Sequence, residues 1–316
     1  MIDLARERIL VTGGAGFLGS IVCQLLRERG VADEQLLAPR SSQYDLTRQT
    51  DVERLYAEWK PTVVIHLAAR VGGIGANQRH PGEYFFANMA MGLHLIEAAR
   101  KNGIRKFVQV GTVCAYPKYT PAPFREEDLW NGYPEETNAP YGVAKKALFV
   151  MLDGYRREYG LPSSVVIPVN LYGPNDNFDP QSSHVIPALI RKCEEARVQK
   201  RTHIDAWGTG SASREFLYVY DCANGIVAAA ERMEEPVPIN LGTGNEISIK
   251  ALTELIARLC DFEGEIRWDT SKPDGQPRRQ LDVSRARQLL GWSAQMPFEE
   301  GLRRTIAWWR NSQGAS

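Results

Sequence analysis

Short apolar runs alternate with longer amphipathic segments along the first half of the chain. The runs at residues 8–12, 62–68, 106–110 and 163–169 have the length and composition of buried strands. Helical periodicity fills the stretches between them, and runs this apolar are typical of central strands in a parallel sheet. The pattern predicts an α/β fold: a Rossmann-type doubly wound parallel sheet with a smaller C-terminal α/β domain.

The regular alternation ends near Asn170. Residues 171–184 are polar and loop-like, with glycine, proline, asparagine and aspartate in close succession. A short return to the first sheet is expected from Tyr220 to Leu241, within residues 220–245. These changes predict a first domain over residues 1–170 with a return segment at 220–245. The second domain is predicted over 171–316, mainly residues 171–219 and 246–316.

A glycine-rich loop joins the first predicted strand to the first predicted helix. Gly13, Gly16 and Gly19 are spaced three residues apart, with Phe17 and Leu18 among them. Glycine at such positions lets the backbone turn tightly, approach a pyrophosphate and pack helix against strand, while the helix N-terminus offers N–H groups to phosphate. A plain strand-to-helix turn has the same spacing, but the flanking elements favour a dinucleotide site that includes all five residues.

The residues after the second and third predicted strands bear on which dinucleotide binds. An NAD enzyme usually places an acid about twenty residues beyond the glycine loop. Here Arg40 stands in that region, next to Ser41 and Ser42. A cation with hydroxyls suits a 2′-phosphate, which favours NADP over NAD, although Arg40 could equally be a solvated loop residue. The further predicted cofactor contacts are Asp45, Leu46, Leu67, Ala68 and Ala69.

Tyr141 and Lys145 lie four residues apart at the start of a predicted helix, so they share one helix face. A tyrosine has a solution pKa of ~10 and is a poor proton shuttle near neutral pH unless a fixed cation stabilises its phenolate. Thr112 and Cys114 follow the fourth predicted strand, at the sheet edge where open α/β sheets place their chemistry. Thr112 is predicted to bond a substrate oxygen, whereas Cys114 is either a small buried hydrophobe or a proton-transfer group.

The second half of the chain adds polar and cationic candidates. Asn170 follows the last strand of the first domain, and His184 lies in the loop beyond it; both are also predicted near the cofactor. His184 is either a general acid or a helix cap. Arg214 and Arg278 are candidates for a second pyrophosphate, although isolated arginines are more often surface charges. The predicted substrate-binding residues are Asn170, Arg191, Lys192, Trp207, Arg214, Lys272 and Arg278.

The composition restricts the partners and the compartment. Lys plus Arg and Asp plus Glu number 38 each, so an anionic ligand must be bound locally and nucleic acid is not an expected partner. Five cysteines are scattered without metal-ligand spacing, which predicts free thiols and no metal site. The N-terminus lacks a signal-like apolar core and no run of about 18 apolar residues occurs, so we expect a cytoplasmic protein with no membrane partner.

Seven segments together resemble the extended short-chain dehydrogenases/reductases that act on nucleotide sugars, within the NAD-dependent epimerase/dehydratase family. The resemblance covers almost the whole chain. The segments are H-L-A-A-R-V-G-G-I-G-A-N from His66, C-A-Y-P-K from Cys114, T-N-A-P-Y-G-V-A-K from Thr137, N-L-Y-G-P-N-D-N-F from Asn170, S-H-V-I-P-A-L-I-R from Ser183, W-G-T-G-S-A-S-R-E-F from Trp207 and K-P-D-G-Q-P-R-R from Lys272.

This resemblance implies an NADPH-dependent epimerase-reductase that converts a GDP-4-keto-6-deoxyhexose to a GDP-6-deoxyhexose by 3,5-epimerisation and 4-keto reduction. It implies that Cys114 and His184 exchange protons at sugar carbons 3 and 5. Tyr141 would then assist hydride transfer to carbon 4, with Thr112 bonding the oxyanion and Lys145 orienting the nicotinamide ribose. A homodimer through the helices predicted at residues 81–102 and 141–160 is also implied.

Two other functions fit the same sequence. A nucleotide-sugar epimerase of this fold would hold its NAD(P) tightly and give no net reduction, whereas a non-catalytic nucleotide sensor or scaffold would bind without turnover. The intact pair of Tyr141 and Lys145 counts against the sensor. Dehydratases of this fold resemble one another in placing Asp-Glu directly after the threonine; Val113 and Cys114 occupy those positions here, which disfavours dehydration.

Overall fold

The computed structural model describes residues 1–72, 74–180, 182–272 and 274–314. These residues form eleven strands: β1 (Ile9–Thr12), β2 (Leu36–Leu37), β3 (Val63–His66), β4 (Lys106–Val110), β5 (Ser163–Pro168), β6 (Asn170–Tyr172), β7 (His203–Trp207), β8 (Ser213–Tyr218), β9 (Pro238–Leu241), β10 (Glu246–Ser248) and β11 (Glu265–Asp269). The same described residues form ten α-helices: α1 (Phe17–Glu28), α2 (Gln49–Trp59), α3 (Ile74–Arg79), α4 (Pro81–Lys101), α5 (Ala139–Tyr159), α6 (Val185–Val198), α7 (Val219–Arg232), α8 (Ile249–Leu259), α9 (Ser284–Leu290) and α10 (Phe298–Gly314). Gly73 and Pro273, which belong to segments that carry the family resemblance, lie outside the described residues.

Six strands form one parallel sheet in the order β2-β1-β3-β4-β5-β9. In its centre Val11 pairs with Ile65, and Ile65 pairs with Val108. β1, β3, β4 and β5 are buried along their whole length because helices cover the sheet, with α1 packed on α7 and α4 packed on α5. The predicted Rossmann-type α/β fold is confirmed, and the strand order reverses between β1 and β3.

A second, smaller set of strands begins where the chain leaves β5. β10, β8 and β6 form a three-stranded sheet, and β11 pairs with β7 in parallel. The helices α6, α8 and α10 surround a separate hydrophobic cluster that includes Tyr172, Phe216 and Ile256. In the same cluster Phe178 stacks on Trp309, with ring centroids 4.2 Å apart. The smaller part of the molecule therefore has its own core beyond the carboxyl end of β5.

The two cores do not divide the chain at a single point. α7 packs on α1, and β9 is the sixth strand of the large sheet, so residues 219–241 belong with the first core. Leu281, Ala286, Leu290 and Trp292 also pack into the first core. The sequence-based division assigns residues 281–292 to the smaller domain, and the structure differs from it there because α9 packs on α7 and β9.

All five cysteines are free, and four of them are buried while Cys114 is half-buried. Within the described ranges, no helix is long and apolar enough to cross a bilayer. The described residues also contain no cluster of three or more histidine, cysteine or acidic side chains arranged to hold a metal. Cys114 is therefore the cysteine that a solute reaches most readily.

Gly19→Ala is expected to destabilise the protein by about 1–3 kcal/mol through overpacking. The new Cβ would lie 2.1 Å from the carbonyl oxygen of Gly13 and 2.6 Å from the Cα of Gly14. Because both neighbours are backbone atoms, either the glycine loop or α1 must shift to admit the methyl group. Urea unfolding of the purified variant measures the loss.

Gly154→Ala, inside α5, is the matched control for this substitution. Nothing lies within 4 Å of a Cβ at that position. Alanine also favours the helix over glycine by roughly 0.5–1 kcal/mol, so this variant should gain stability. Equal shifts of the unfolding midpoint in the two variants would contradict the packing argument.

Candidate functional site

The carboxyl ends of β1 and β3 meet at the point where the strand order reverses. Gly13 has φ 73° there, and a Cβ on it would lie 2.9 Å from the backbone nitrogen of Ala68. α1 begins directly behind this contact, with Gly16 at its N-cap and no acidic residue in its first turn. The N–H groups and the positive end of the helix dipole suit a phosphate at this edge. The predicted cofactor residues that surround this point are Gly13, Gly16, Phe17, Leu18, Gly19, Leu67, Ala68 and Ala69.

The residues predicted to select the cofactor follow β2. Arg40 is exposed, and its backbone N–H donates to the Gln43 Oε1 at 3.0 Å. Asp45 accepts from the N–H and the hydroxyl of Thr47, at 3.0 and 2.7 Å, and these bonds lower the pKa of Asp45. Leu46 is buried in the first core. Asp45 therefore closes a local turn, while Arg40 presents an exposed cation near the end of β2.

Thr112, Cys114 and Tyr141 meet where β4 ends and α5 begins. A short 3-10 helix at Val113–Ala115 follows β4, and the hydroxyl of Thr112 caps it by accepting the Cys114 N–H at 3.2 Å. Tyr141, in the first turn of α5, hydrogen-bonds to the Thr112 side chain and lies close enough to Cys114 for the two groups to interact electrostatically. Gly142 permits this approach, since a Cβ there would lie 2.2 Å from the Cys114 carbonyl oxygen.

Burial sets the protonation of Tyr141 and Lys145. It raises the pKa of Tyr141, a charge on Cys114 raises it further, and the Thr112 hydrogen bond lowers it. Burial also lowers the pKa of Lys145 to about 8, and its Nζ donates to the Val110 carbonyl at 3.3 Å. Lys145 lies one turn from Tyr141 and would be the fixed cation for its phenolate; in the structure its ammonium bonds the end of β4 instead, and the phenol is protonated near neutral pH. Tyr141 is thus suited to donate a proton.

Two guanidinium groups lie beside Cys114. Arg279 Nη1 is 3.9 Å from the Cys114 Sγ, and its Nε donates to Gln276 Oε1 at 2.9 Å. Arg214 donates to the Asp274 carbonyl at 3.1 Å. Desolvation, and then the nearby charge of Arg279, lower the pKa of Arg214 to about 10. Two cations that repel each other favour an anion between them, so this pair is a candidate diphosphate site.

Of the two adjacent arginines, Arg278 is the residue predicted from the sequence to bind substrate, whereas Arg279 is the one whose guanidinium lies beside Cys114. Arg278 is exposed, and its Nε donates to Glu246 Oε1 at 2.9 Å, on the edge of the small sheet. Consecutive residues of an extended segment point to opposite sides. One arginine of the pair therefore faces the surface when the other faces Cys114. The adjacent arginines were a signal in the sequence, but the sequence alone does not decide which of them points inward.

Asn170 and His184 lie on the segment that leads from the large sheet to α6. Asn170 pairs with Phe216 in the small sheet, and its Nδ2 donates to the Glu215 carbonyl at 2.9 Å. His184 is the N-cap residue of α6, yet its side chain makes no capping hydrogen bond. The residue is exposed by surface area, but the protein around its ring removes enough water to lower the pKa of the imidazole. The imidazole is therefore neutral at pH 7.

Four other predicted substrate residues belong to the smaller part of the molecule. Lys192 donates to a backbone carbonyl of β7 at 2.7 Å, and burial lowers the pKa of its ammonium. Arg191 Nε lies 3.7 Å from a carboxylate one turn further along α6. The exposed Trp207 ends β7, and Lys272 Nζ lies 5.6 Å from the centroid of its ring. The structure therefore places Thr112, Cys114, Tyr141, Lys145 and Arg214 close together. Arg191, Lys192, Trp207 and Lys272 lie on other elements.

The chain belongs to the NAD dependent epimerase/dehydratase family, whose sequence profile matches residues 9–242. The match spans the large sheet with its glycine loop and the Tyr141–Lys145 helix. It confirms the family that the sequence resemblance indicates.

Relatives of known name are similar over nearly the whole length of the chain. "Probable GDP-L-fucose synthase 1" of Oryza sativa subsp. japonica is 40% identical over 303 residues, which cover 96% of this chain and 92% of the relative. "GDP-L-fucose synthase" of Escherichia coli (strain K12) is 37% identical over 319 residues, 98% of each chain. The crystal structure of a GDP-L-fucose synthetase from Naegleria fowleri bound to NADP is similar at TM-score 0.88 and 29% identity, over 99% of this chain and 95% of that one.

Lys145→Met is expected to raise the free energy of unfolding at pH 7 by roughly 1–3 kcal/mol, because folding no longer buries an ammonium. The folded-state pKa of about 8 lies below the ordinary value of 10.5, so the unfolded chain binds more protons between these values. The stability of the unmodified protein should therefore rise as pH increases from about 8 to 10.5, and the variant should lose that part of the rise. Urea unfolding as a function of pH measures both effects.

Lys106→Met is the matched control. Lys106 is a second fully buried lysine, at the opposite end of β4, and burial lowers its pKa to about 8 as well. The control should also gain stability at pH 7, without altering the cluster around Tyr141, and its gain should disappear as pH rises from about 8 to 10.5. A loss of stability in both variants would show that burying the two ammonium groups is not unfavourable.

Proposed function

We propose that the protein is a cytoplasmic NADPH-dependent epimerase-reductase that converts a GDP-4-keto-6-deoxyhexose to a GDP-6-deoxyhexose such as GDP-L-fucose. The observation that carries this proposal is the grouping of Thr112, Cys114 and Tyr141 beside the guanidiniums of Arg214 and Arg279. The similar rice and Escherichia coli proteins are named GDP-L-fucose synthases, which supports a GDP-linked substrate. The two steps are 3,5-epimerisation and reduction of the 4-keto group.

The epimerisation needs groups that remove and return protons next to a ketone. An enolate forms when the proton leaves, so the site must supply a base, an acid and hydrogen bonds to the oxyanion. We assign the proton exchanges at carbons 3 and 5 to Cys114, which has a guanidinium 3.9 Å from its sulfur, and to the neutral imidazole of His184. Solution pKa values of ~8.5 for a thiol and ~6.5 for an imidazole bracket neutral pH. Thr112 and Tyr141 bond the oxyanion.

The reduction needs a proton donor at the oxygen of carbon 4. NADPH supplies the hydride when it is bound. Burial keeps the Tyr141 phenol protonated, so Tyr141 donates its proton to the alkoxide as carbon 4 is reduced. Lys145, with a pKa lowered to about 8, is assigned to the nicotinamide ribose.

The residues around the glycine loop fit a dinucleotide phosphate. The close contact of Gly13 with Ala68 leaves no room for a side chain, and Gly16 opens the first turn of α1 to an anion. Arg40 is assigned to the 2′-phosphate of NADP, with Leu46 near the adenine. The similar Naegleria fowleri protein is bound to NADP, which supports this assignment.

The GDP part of the substrate is assigned to the cations beside Cys114 and to the smaller part of the molecule. Arg214 and Arg279 hold the diphosphate, since their mutual repulsion is relieved by an anion between them. Asn170 is assigned next to the hexose. The remaining residues assigned to the nucleotide are Arg191, Lys192, Trp207 and Lys272.

Incubation with GDP-4-keto-6-deoxymannose and NADPH tests the function directly. Loss of NADPH absorbance together with a GDP-6-deoxyhexose product is the expected result. Incorporation of solvent deuterium into the sugar without oxidation of NADPH would support an epimerase activity and exclude the reductase activity. If neither NADPH oxidation nor deuterium incorporation occurs, the protein binds a nucleotide but lacks this activity.

Tyr141→Phe should slow NADPH oxidation by roughly 10² or more, because the variant lacks the proton donor. Cys114→Ala should instead abolish solvent deuterium incorporation at carbons 3 and 5 while leaving NADPH affinity unchanged. Tyr155→Phe is the control on the same helix, since its phenol donates to Glu97 at 2.9 Å. An unchanged rate of NADPH oxidation in Tyr141→Phe would refute the role assigned to Tyr141. Retained deuterium exchange in Cys114→Ala would refute the role assigned to Cys114.

We also propose that two copies associate through α4 and α5. These helices pack side by side, and large apolar side chains stay exposed on them in the single chain: Phe85, Phe86, Leu93 and Val150. A contiguous apolar face on adjacent helices is typical of a subunit interface, and a two-fold axis would cover it with its own copy.

Phe86→Glu should convert the dimer to a monomer, because it places a charge in the covered face. Phe86 is 63% exposed in the single chain. Val198→Glu is the matched control, at a residue that is 70% exposed at the end of α6. Sedimentation velocity at micromolar concentration measures the state of each variant, and a dimer that survives Phe86→Glu would place the interface elsewhere.

A further inference from the structure

We propose that Gln276 is a positioning residue that holds Arg279 toward Cys114 and the substrate diphosphate. The proposal rests on the proposed function, because it assigns a task within that site. Gln276 is 9% exposed and lies between two partners. Its Oε1 accepts from Arg279 Nε at 2.9 Å, and its Nε2 donates to the Lys118 carbonyl at 2.7 Å.

The two partners define the orientation of the Gln276 amide. Arginine can only donate, and a backbone carbonyl can only accept, so the oxygen must face Arg279 and the nitrogen must face Lys118. A side chain at this position must therefore combine an acceptor and a donor to make both bonds. Glutamate keeps the acceptor alone, and leucine keeps neither.

The bond to Lys118 ties two separate segments together. Lys118 lies four residues after Cys114, so its carbonyl belongs to the segment that carries the thiol. The other side of the arginine-bearing loop is held by Asp274, whose carboxylate accepts from the N–H and the hydroxyl of Thr209, both at 2.7 Å. The loop is thus attached to the turn after β7 at one side and to the Cys114 segment at the other. Gln276 makes the second attachment.

Arg214 and Arg279 repel each other, so Arg279 needs this attachment to keep its guanidinium directed toward Cys114. The charge of Arg279 lowers the pKa of Arg214, so the two guanidiniums repel each other before an anion binds. A neutral acceptor on Nε opposes the rotation of Arg279 into solvent and leaves Nη1 near the Cys114 sulfur. A guanidinium that is already oriented loses less conformational freedom when the diphosphate arrives.

The neighbouring pair of Arg278 and Gln280 shows the same chemistry on the outward side of the loop. Arg278 Nη2 donates to Gln280 Oε1 at 3.4 Å, and Gln280 Nε2 donates to the Gly244 carbonyl at 2.6 Å. Arg278 itself pairs with Glu246. Gln280→Leu therefore removes an equivalent bridge without touching Arg279, which makes it a matched control for Gln276→Leu.

Gln276→Leu is expected to raise KM for the GDP-sugar about tenfold, with a smaller change in kcat, since one hydrogen bond to a charged group is lost. It should also slow alkylation of Cys114 by iodoacetamide several-fold, because the Arg279 guanidinium would no longer lie 3.9 Å from the reacting sulfur. The other four cysteines are buried, so the reaction reports Cys114. Gln280→Leu should change neither quantity, and NADPH affinity should be the same in both variants.

An unchanged KM and an unchanged alkylation rate in Gln276→Leu would overturn the proposal. If the unmodified protein does not turn over the GDP-sugar, the proposed function fails, while the alkylation rate and the affinity for GDP still decide the role of Gln276. Gln276→Met serves where the leucine variant does not fold: its unbranched side chain supplies no donor for the Lys118 carbonyl and at most a weak acceptor for Arg279. Slower alkylation in that variant supports the proposal, and an unaltered rate refutes it.

Discussion

The site depends on the close approach of the first turn of α5 to the turn that ends β4. Gly142 lies so near the Cys114 carbonyl that any side chain at this position would displace one of the two elements. This contact sets Tyr141 against Thr112, and the next helical turn brings Lys145 to the end of β4. The relative positions of hydroxyl, thiol, phenol and ammonium therefore follow from one backbone contact between elements that the large sheet already holds in register.

Each charged group around this contact, taken by itself, makes folding less favourable. A buried ammonium, a half-buried guanidinium and a second guanidinium beside it all lose solvation, and the two arginines also repel each other. The large hydrophobic core behind the sheet supplies the stability that allows this arrangement. A charged group that has lost solvation gains more free energy from a nearby opposite charge than a solvated group does. The unfavourable local electrostatics and the proposed preference for an anion thus have the same cause.

Local sequence signals were sufficient for the main strands and helices of the large sheet and for the chemistry that lies within one element. The glycine spacing, the apolar runs and the four-residue interval between Tyr141 and Lys145 all depend on neighbours in the chain, and the strands and helices follow them. Contacts between distant segments were not predictable in this way. The choice of Arg279 over Arg278 depends on a loop attached to Lys118, and α9 joins the first core because it meets α7 and β9. Lys145 bonds a carbonyl of β4, which no helical interval indicates.

The protonation states of the described site fit a reaction that begins with proton exchange and ends with reduction. The phenol of Tyr141 keeps its proton because burial disfavours the phenolate, and the imidazole of His184 is neutral for the corresponding reason. A neutral imidazole can accept a proton from carbon and a neutral phenol can donate one to oxygen, so both groups begin in the state that their assigned step requires. The Cys114 thiol lies near Tyr141, and its sulfur is 3.9 Å from a guanidinium nitrogen of Arg279. A proton acceptor and a proton donor are therefore both available in the forms that an epimerisation followed by a reduction requires.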